Sequence, residues 1–287
     1  MAEPAVFEAQ RDRLWRIAYR MTGSVMDADD AVQETWLRWL AVPDGAADDP
    51  RAYLTAVVSR VCHDQFRAAK ARRETYPGPW LPEPVVTEPG PEERAELDDS
   101  VGLALLAALE RLTPAERLAL VLHDVFAVPY ERVADVLERS PDAARQAAAR
   151  ARRRVRVAAP RRSPDRAAHR AAVDAFLAAV ADGDLDALVR VLHPDVVWRS
   201  DGGGRVGAAR VPVAGAAAVA RLAAGIARRF RPGAMSLEIR DVNGVPGLVV
   251  TEDGRTVLVL AFAVADDGRV VALDAVVNPE KLAHVRV

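Results

Sequence analysis

Six prolines fall between Tyr76 and Pro91: Pro77, Pro79, Pro82, Pro84, Pro89 and Pro91. Each proline inside a helix removes a hydrogen bond and clashes with the preceding turn, so no helix crosses this stretch. The segment must be extended and semi-rigid. It therefore divides the 287-residue chain into parts that fold on either side of it. Trp80, Leu81, Val85 and Val86 are apolar, which a solvated spacer does not need. The segment is expected to dock on something.

Before the prolines the chain reads as helices. Leu14, Ile17, Ala18 and Met21 recur at helical spacing until Thr22-Gly23-Ser24 breaks the run. Asp27 is placed to cap a second helix reaching Leu40, with Ala31, Val32, Thr35, Trp36, Trp39 and Leu40 on its apolar face. Pro43-Asp44-Gly45 marks a turn, and Pro50 suits the first position of a third helix running to Phe66 and beyond. After the prolines a helix is predicted from about Glu93 to Arg111. Thr113-Pro114-Ala115-Glu116 then carries a capping residue, a first-turn proline and a reciprocal glutamate. Pro129-Tyr130 opens a short helix, Arg139-Ser140-Pro141 turns the chain, and an Ala- and Arg-rich helix follows from Asp142 to Val157. Two short helices joined by so brief a turn, the second basic, have helix-turn-helix form.

Pro160 to Pro164 forms a second linker, after which the pattern changes. Helices are predicted over Arg166–Ala181, Leu185–Leu192 and Val213–Phe230, with a strand at Val196-Val197-Trp198 and a loop at Gly202-Gly203-Gly204. His193-Pro194-Asp195 reads as a turn. Alternating segments at Met235–Val242, Pro246–Thr251, Thr256–Val264 and Val270–Val277 read as strands, and Asp253-Gly254 and Asp267-Gly268 are hairpin signals. The fold class is thus multidomain: two all-α domains, then an α+β domain with a curved antiparallel sheet. The boundaries are 5–73, a linker at 74–99, 100–157, and 165–287.

Net charge is only −2, which alone argues against a polyanion partner, but the charge is segregated. From Arg139 to Arg162 every cation is arginine and Asp142 is the one acid. Arg145, Arg150, Arg152, Arg153, Arg154 and Arg156 lack the acids at i±4 that would relieve their repulsion, and a phosphate backbone would relieve it. A second basic cluster ends the third helix: Arg60, Arg67, Lys70, Arg72 and Arg73, beside His63, Asp64 and Gln65. Two basic helices suit one DNA duplex held at two points. The second helix is opposite in sign: Asp27, Asp29, Asp30 and Glu34 suit a basic protein surface. Cys62 is the only cysteine, so no internal disulfide forms, consistent with a reducing cytoplasm. Met1 to Gln10 lacks the basic start and apolar run of a signal peptide, and no stretch suits a membrane span. No cofactor or metal site is expected.

These residues carry a family resemblance. Asp27-Ala28-Asp29-Asp30-Ala31-Val32-Gln33-Glu34-Thr35-Trp36-Leu37-Arg38 resembles the polymerase-binding helix of sigma region 2. Arg51-Ala52-Tyr53-Leu54 through Cys62-His63-Asp64-Gln65-Phe66-Arg67 resembles the segment that reads the minus-ten element. Leu112 to Arg117 and Pro129 to Ala134 resemble sigma region 4. The order and spacing match the extracytoplasmic-function sigma factors of the sigma-70 family. Gly78-Pro79-Trp80-Leu81-Pro82-Glu83-Pro84, Asp201-Gly202-Gly203-Gly204 and Asn278-Pro279-Glu280-Lys281-Leu282 resemble three motifs of a subgroup with a fused SnoaL-like C-terminal domain. Arg205 and Glu280 replace the lysine and aspartate usual there, keeping the charge.

The resemblance implies that Asp27, Asp29, Asp30, Gln33, Glu34 and Trp36 bind the clamp helices of core RNA polymerase, and that region 4 meets its flap region. Arg60, His63, Asp64, Arg67, Lys70, Arg72 and Arg73 would act at the minus-ten element of promoter DNA. Ser140, Asp142, Arg145, Gln146, Arg150, Arg153 and Arg154 would lie at the minus-thirty-five element. The C-terminal domain would regulate the chain in cis, its Asp201–Gly204 loop and Asn278–Leu282 segment touching the linker and burying Trp80 and Leu81. Two alternatives stand beside this: a polymerase-independent helix-turn-helix regulator with a ligand-sensing domain, and an enzyme using His193, Asp195, Trp198 and Asp201 as a pocket for a small-molecule ligand.

Overall fold

A computed structural model describes residues 3–43, 45–88, 102–158, 165–229 and 233–286, without the side chains of 67–74 and 157–158. The second linker at Pro160–Pro164, the Glu93–Val101 start of the predicted helix, and Asp44, Pro89, Pro91 and Phe230 lie outside the described residues. The chain forms two compact units, Met1–Thr75 with Ala108–Val157, and Tyr76–Ala107 with Ala158–Val287.

In the first unit, helices α1 (Pro4–Glu8), α2 (Arg11–Thr22), α3 (Val25–Leu40) and α4 (Pro50–Glu74) come first. Leu14, Ile17, Ala18, Met21, Ala28, Ala31, Leu54 and Val58 are excluded from solvent. Helix α2 stops where Gly23 turns left-handed at φ 68°. The cap of α3 is Ser24, not Asp27: Ser24 is extended and its hydroxyl accepts the Asp27 amide at 3.1 Å. Gly23 ends one helix so tightly that the next begins immediately, leaving Asp27 inside the first turn, where its charge still favours the helix dipole.

Most of helix α5 (Leu103–Leu109) belongs to the second unit; in the first, α6 (Pro114–Leu120), α7 (Tyr130–Leu137) and α8 (Pro141–Ala158) follow. Thr113 and Glu116 form the full capping box of α6. A π-helical turn, Val121–Val125, extends α6. Ser140 caps α8 through the Ala143 amide at 3.2 Å, and Ala144, Ala147, Ala148 and Ala151 face the core. These alanines form the buried face of α8.

The two helical segments pack on each other through one buried arginine. Arg117 is fully buried; its Nε donates to the Arg20 carbonyl at 2.9 Å, it pairs with Glu110, and it lies 5.1 Å over the Phe66 ring. Beside it the Phe126 ring takes Arg13 and Arg20 at 5.6 and 5.1 Å.

The second unit is a sheet in the order β1-β4-β5-β6-β7-β2-β3. Its strands are β1 (Val86–Thr87), β2 (Leu192–Asp201), β3 (Val213–Ala214), β4 (Met235–Val242), β5 (Val245–Glu252), β6 (Arg255–Val264) and β7 (Val270–Val276). All neighbours are antiparallel except β2 and β7, which run parallel. Alternation along the strands gives both faces apolar residues. Trp198, Leu248, Val250, Leu260, Phe262 and Leu273 face helices α9 (Arg166–Asp182), α10 (Leu185–Val191) and α11 (Ala216–Ala227). Val249, Val259, Ala261 and Val276 face Leu81, Leu103, Ala107 and the terminal helix α12 (Pro279–Leu282). The linker is therefore part of the core, and it supplies edge strand β1.

Two local expectations are overturned in this unit. The helix predicted over Val213–Phe230 begins only at Ala216, because Val213 and Ala214 pair with Trp198 and Val197 and Gly215 breaks the backbone at φ 91°. His193-Pro194-Asp195 is not a turn before the strand; it lies within β2, at a register slip against β7 between Leu192 and Val197.

Candidate functional site

Helix α3 presents an acidic face. Asp29, Asp30 and Gln33 are exposed, while Asp27, Glu34 and Trp36 are half-buried. Asp29 accepts the Trp15 indole N–H at 2.7 Å, and Glu34 pairs with Arg38 one turn on at 2.9 Å. Met26 and Leu37, which the sequence reading passed over, are 67% and 56% exposed. The spacing Met26, Asp30, Gln33, Leu37 follows one helix face and was the available signal.

On α4, Arg60 and Asp64 are exposed and His63 is half-buried. Arg67, Lys70, Arg72 and Arg73 belong to the same helix, and their side chains lie outside the described residues.

Helix α8 differs from its sequence-based reading. Its arginines find acids elsewhere in the fold. Arg150 and Arg154 reach Glu116 at 3.3 and 2.6 Å. Arg152 makes a bidentate contact to Asp124 at 2.6 and 2.8 Å and also donates to the Tyr130 hydroxyl. Arg145 pairs with Asp142 at 2.6 Å and Glu131 at 3.3 Å. Burial alone would push the Glu116 carboxyl up, but Thr113, Arg154 and Arg150 outweigh it and hold it below the usual carboxylate range. The anticipated repulsion is thus relieved internally for most of the cluster. Asp142, Gln146 and Arg153 remain exposed at spacings of four and seven, opposite the buried alanines. That stripe, begun by the exposed Ser140, lies opposite the buried face of the helix.

The linker meets the C-terminal domain at Asp201, which has no solvent exposure. Its carboxylate accepts the Tyr76 hydroxyl at 2.5 Å, the Leu81 amide at 2.8 Å, the Gly203 amide at 3.1 Å and the Lys281 ammonium at 2.8 Å. Lys281 also donates to the Leu81 carbonyl and sits 3.8 Å from the Trp80 ring centroid. Asn278 donates to the Tyr76 oxygen at 3.0 Å and caps α12 through the Glu280 amide. A Cβ on Gly203 would strike Asn278, and one on Gly204 would come within 2.8 Å of Pro77. Leu81, Pro82 and Pro84 are buried, Glu83 is half-buried, and His284 contacts the Pro84 carbonyl at 2.9 Å. Gly202 and Leu282 are buried as well, while Pro279 begins α12 at the surface. The expected burial is corrected at one residue: Trp80 stays half-buried, because one face of its ring covers Lys281. The sequence reading also missed Tyr76 and His284, which flank the motif on the linker and terminal segments.

The acid–base candidates do not converge. Trp198 is buried among the helix-facing residues and donates to Ser200 at 2.8 Å. Asp201, three residues on, faces the linker. His193 accepts the Asp195 amide at 3.2 Å near the strand's start. On the linker side of the sheet Arg199 holds the buried Asp274 at 2.5 and 2.7 Å, an unanticipated pair. Burial pushes the Asp274 carboxyl up against the pull of Arg199. Among the described residues no group of three or more His, Cys, Asp or Glu is placed to hold a metal ion, and no helix is long and apolar enough to cross a membrane.

Comparison with known families matches Sigma-70 region 2 over residues 6–72, Sigma-70 region 4 over 102–155, and the SnoaL-like domain over 173–278. The ECF RNA polymerase sigma factor SigJ of Mycobacterium tuberculosis is 44% identical, over 97% of this chain and 93% of its own length. The chain belongs to the ECF RNA polymerase sigma factors. The probable ECF sigma factor SigI of the same species is 36% identical over 98% of this chain and 95% of its own. The crystal structure of SigJ superposes with a TM-score of 0.79 at 41% identity, covering 98% of both chains. This sigma factor thus joins sigma regions 2 and 4 to a SnoaL-like domain, and its function is promoter recognition for RNA polymerase.

Proposed function

We propose that the sigma factor is regulated in cis, its SnoaL-like domain holding the linker at Asp201 and Lys281. Helix α3 docks on the clamp helices of core polymerase through Asp29, Asp30, Gln33, Glu34 and Trp36. The basic end of α4 acts at the minus-ten element, and the stripe Ser140, Asp142, Gln146, Arg153 on α8 enters the major groove at the minus-thirty-five element. The work takes place in the cytoplasm, with polymerase and DNA. RNA synthesis belongs to the polymerase, and the domain contributes no catalytic step: Asp201 is engaged by the linker and Lys281, and His193 and Asp195 make only a local contact with each other.

The observation that carries this reading is the burial of a lysine–carboxylate pair against the linker backbone. Such a contact costs desolvation that a passive tether would not require. In transcription reconstituted with core polymerase, Trp80→Ala should change promoter-specific output while core affinity stays near wild type. Unchanged output would remove the regulatory role. Absence of any promoter-specific transcript from the wild-type chain would remove the promoter roles assigned to these residues. Point variants are the cleaner perturbation, since ending the chain near Pro160 strips Leu81 and Leu103 of their cover.

A further inference from the structure

A cavity of about 570 Å³ opens between α1, α2 and α3. Its walls are Phe7, Trp15 and Trp36, with Val32 at its side, and Glu8 and Asp29 bring carboxylates to it. The indole of Trp15 is fixed by stacking on Tyr19, with centroids 5.1 Å apart and planes 12° from parallel. Its N–H therefore points one way, to the carboxylate of Asp29 at 2.7 Å. Asp29 is exposed yet oriented, and among the described residues its second oxygen takes no hydrogen bond. Arg11 also lines the cavity, but its 3.5 Å pair with Glu8 is solvent-exposed and therefore weak. Two carboxylates and one guanidinium leave the site with a net charge of −1, one positive charge short of neutral.

From these features we infer that the cavity receives one arginine side chain of the protein on which α3 docks, with Trp15 as the positioning residue for Asp29. The inference rests on the docking role proposed for α3. A guanidinium matches the site in three respects. It is a monocation, its plane stacks on indole rings, and its fork pairs with an oriented carboxylate. The exposed Met26 and Leu37 extend the same helix beyond the cavity and give the partner apolar surface to cover. Lysine would supply the charge without the planar fit. Helix α1 is then part of the docking surface, because Phe7 closes one wall and packs on Trp36 at 4.9 Å.

The test uses the full chain, labelled at its N-terminus, in equilibrium binding to core polymerase. Trp15→Phe keeps the stacked ring and loses the N–H; Asp29→Asn loses the charge. Each should weaken core binding roughly tenfold, the loss of one charge-assisted hydrogen bond. The double variant should be no weaker than Asp29→Asn alone, because Trp15 acts through Asp29. Thermal midpoints of the variants should match wild type. Independently, millimolar N-acetyl-arginine amide should shift the Trp15 indole N–H resonance, and the lysine amide should shift it less. Wild-type affinity in both single variants, an additive double variant, or equal shifts by the two amides would each overturn the inference. Failure of the wild-type chain to bind core polymerase would overturn the docking role of α3 instead.

Discussion

Lys281→Met removes an ammonium and keeps an apolar stem of similar length. The Lys281 side chain is 8% exposed and its partner Asp201 is fully buried. Breaking a buried pair by removing one member costs about 3–5 kcal/mol, since the remaining charge loses its compensation. Asp201 would keep three donors, from Tyr76, Leu81 and Gly203, which sets the loss at the low end, about 3 kcal/mol. At 2–4 °C per kcal/mol, the thermal midpoint of the sheet-containing unit should fall by roughly 6–12 °C. Arg205→Ala is the matched control. Its pair with Glu280 has the same charges but is 65% and 66% exposed, so its loss should be near zero. Thermal denaturation followed by circular dichroism reads the midpoint, and native-state hydrogen exchange reads the Leu81 amide, which should lose protection in Lys281→Met. Equal midpoints for the two variants would refute the reasoning, because burial would then not be what gives the linker contact its strength.

Two further outcomes follow from buried groups. His169 is buried, with Nε2 on the Pro246 carbonyl, and burial together with nearby Arg166 depresses its affinity for a proton despite that carbonyl. Its folded pKa lies below the unfolded value of about 6.5, so the unfolded chain binds the proton first. Stability is fully present above that value and declines as pH falls through it towards the folded pKa. The urea midpoint should drop between about pH 7 and about pH 5.5, and His169→Gln should lessen the drop; an identical slope in the variant would remove His169 as the cause. Cys62, the only thiol, is fully buried, and burial pushes it up to about 12 despite nearby Arg117. It lies on the α4 face that runs from Thr55, bonded to Arg13, to Phe66 beneath Arg117. Native protein should resist a thiol reagent at neutral pH, and Arg117→Leu should raise the labelling rate severalfold; rapid labelling of wild type would contradict the buried assignment.

Signals confined to a few neighbouring residues were legible without the structure. The box Thr113-Pro114-Ala115-Glu116 and Pro50 at the start of α4 each specify their own backbone, because donor and acceptor sit within one turn. The hairpins at Asp253-Gly254 and Asp267-Gly268 are of the same kind, as is the alternation of β4 to β7. The linker motif and its two partner segments were also visible as motifs, but only as strings. Contacts across long sequence separations were decided by the tertiary fold. Glu116 serves arginines 34 and 38 residues away, so the apparent excess of positive charge on α8 is largely matched by acids that no helical spacing reveals. Trp15 orients Asp29 only because α2 and α3 pack side by side. The pairing of Val86 with Val242 turned the end of a proline-rich linker into a strand. The composition already required that Leu81 be covered; which carboxylate and which lysine cover it depended on bringing Tyr76, Asp201 and Lys281 to one edge of the sheet, because a buried charge is stable only where the fold delivers its partners.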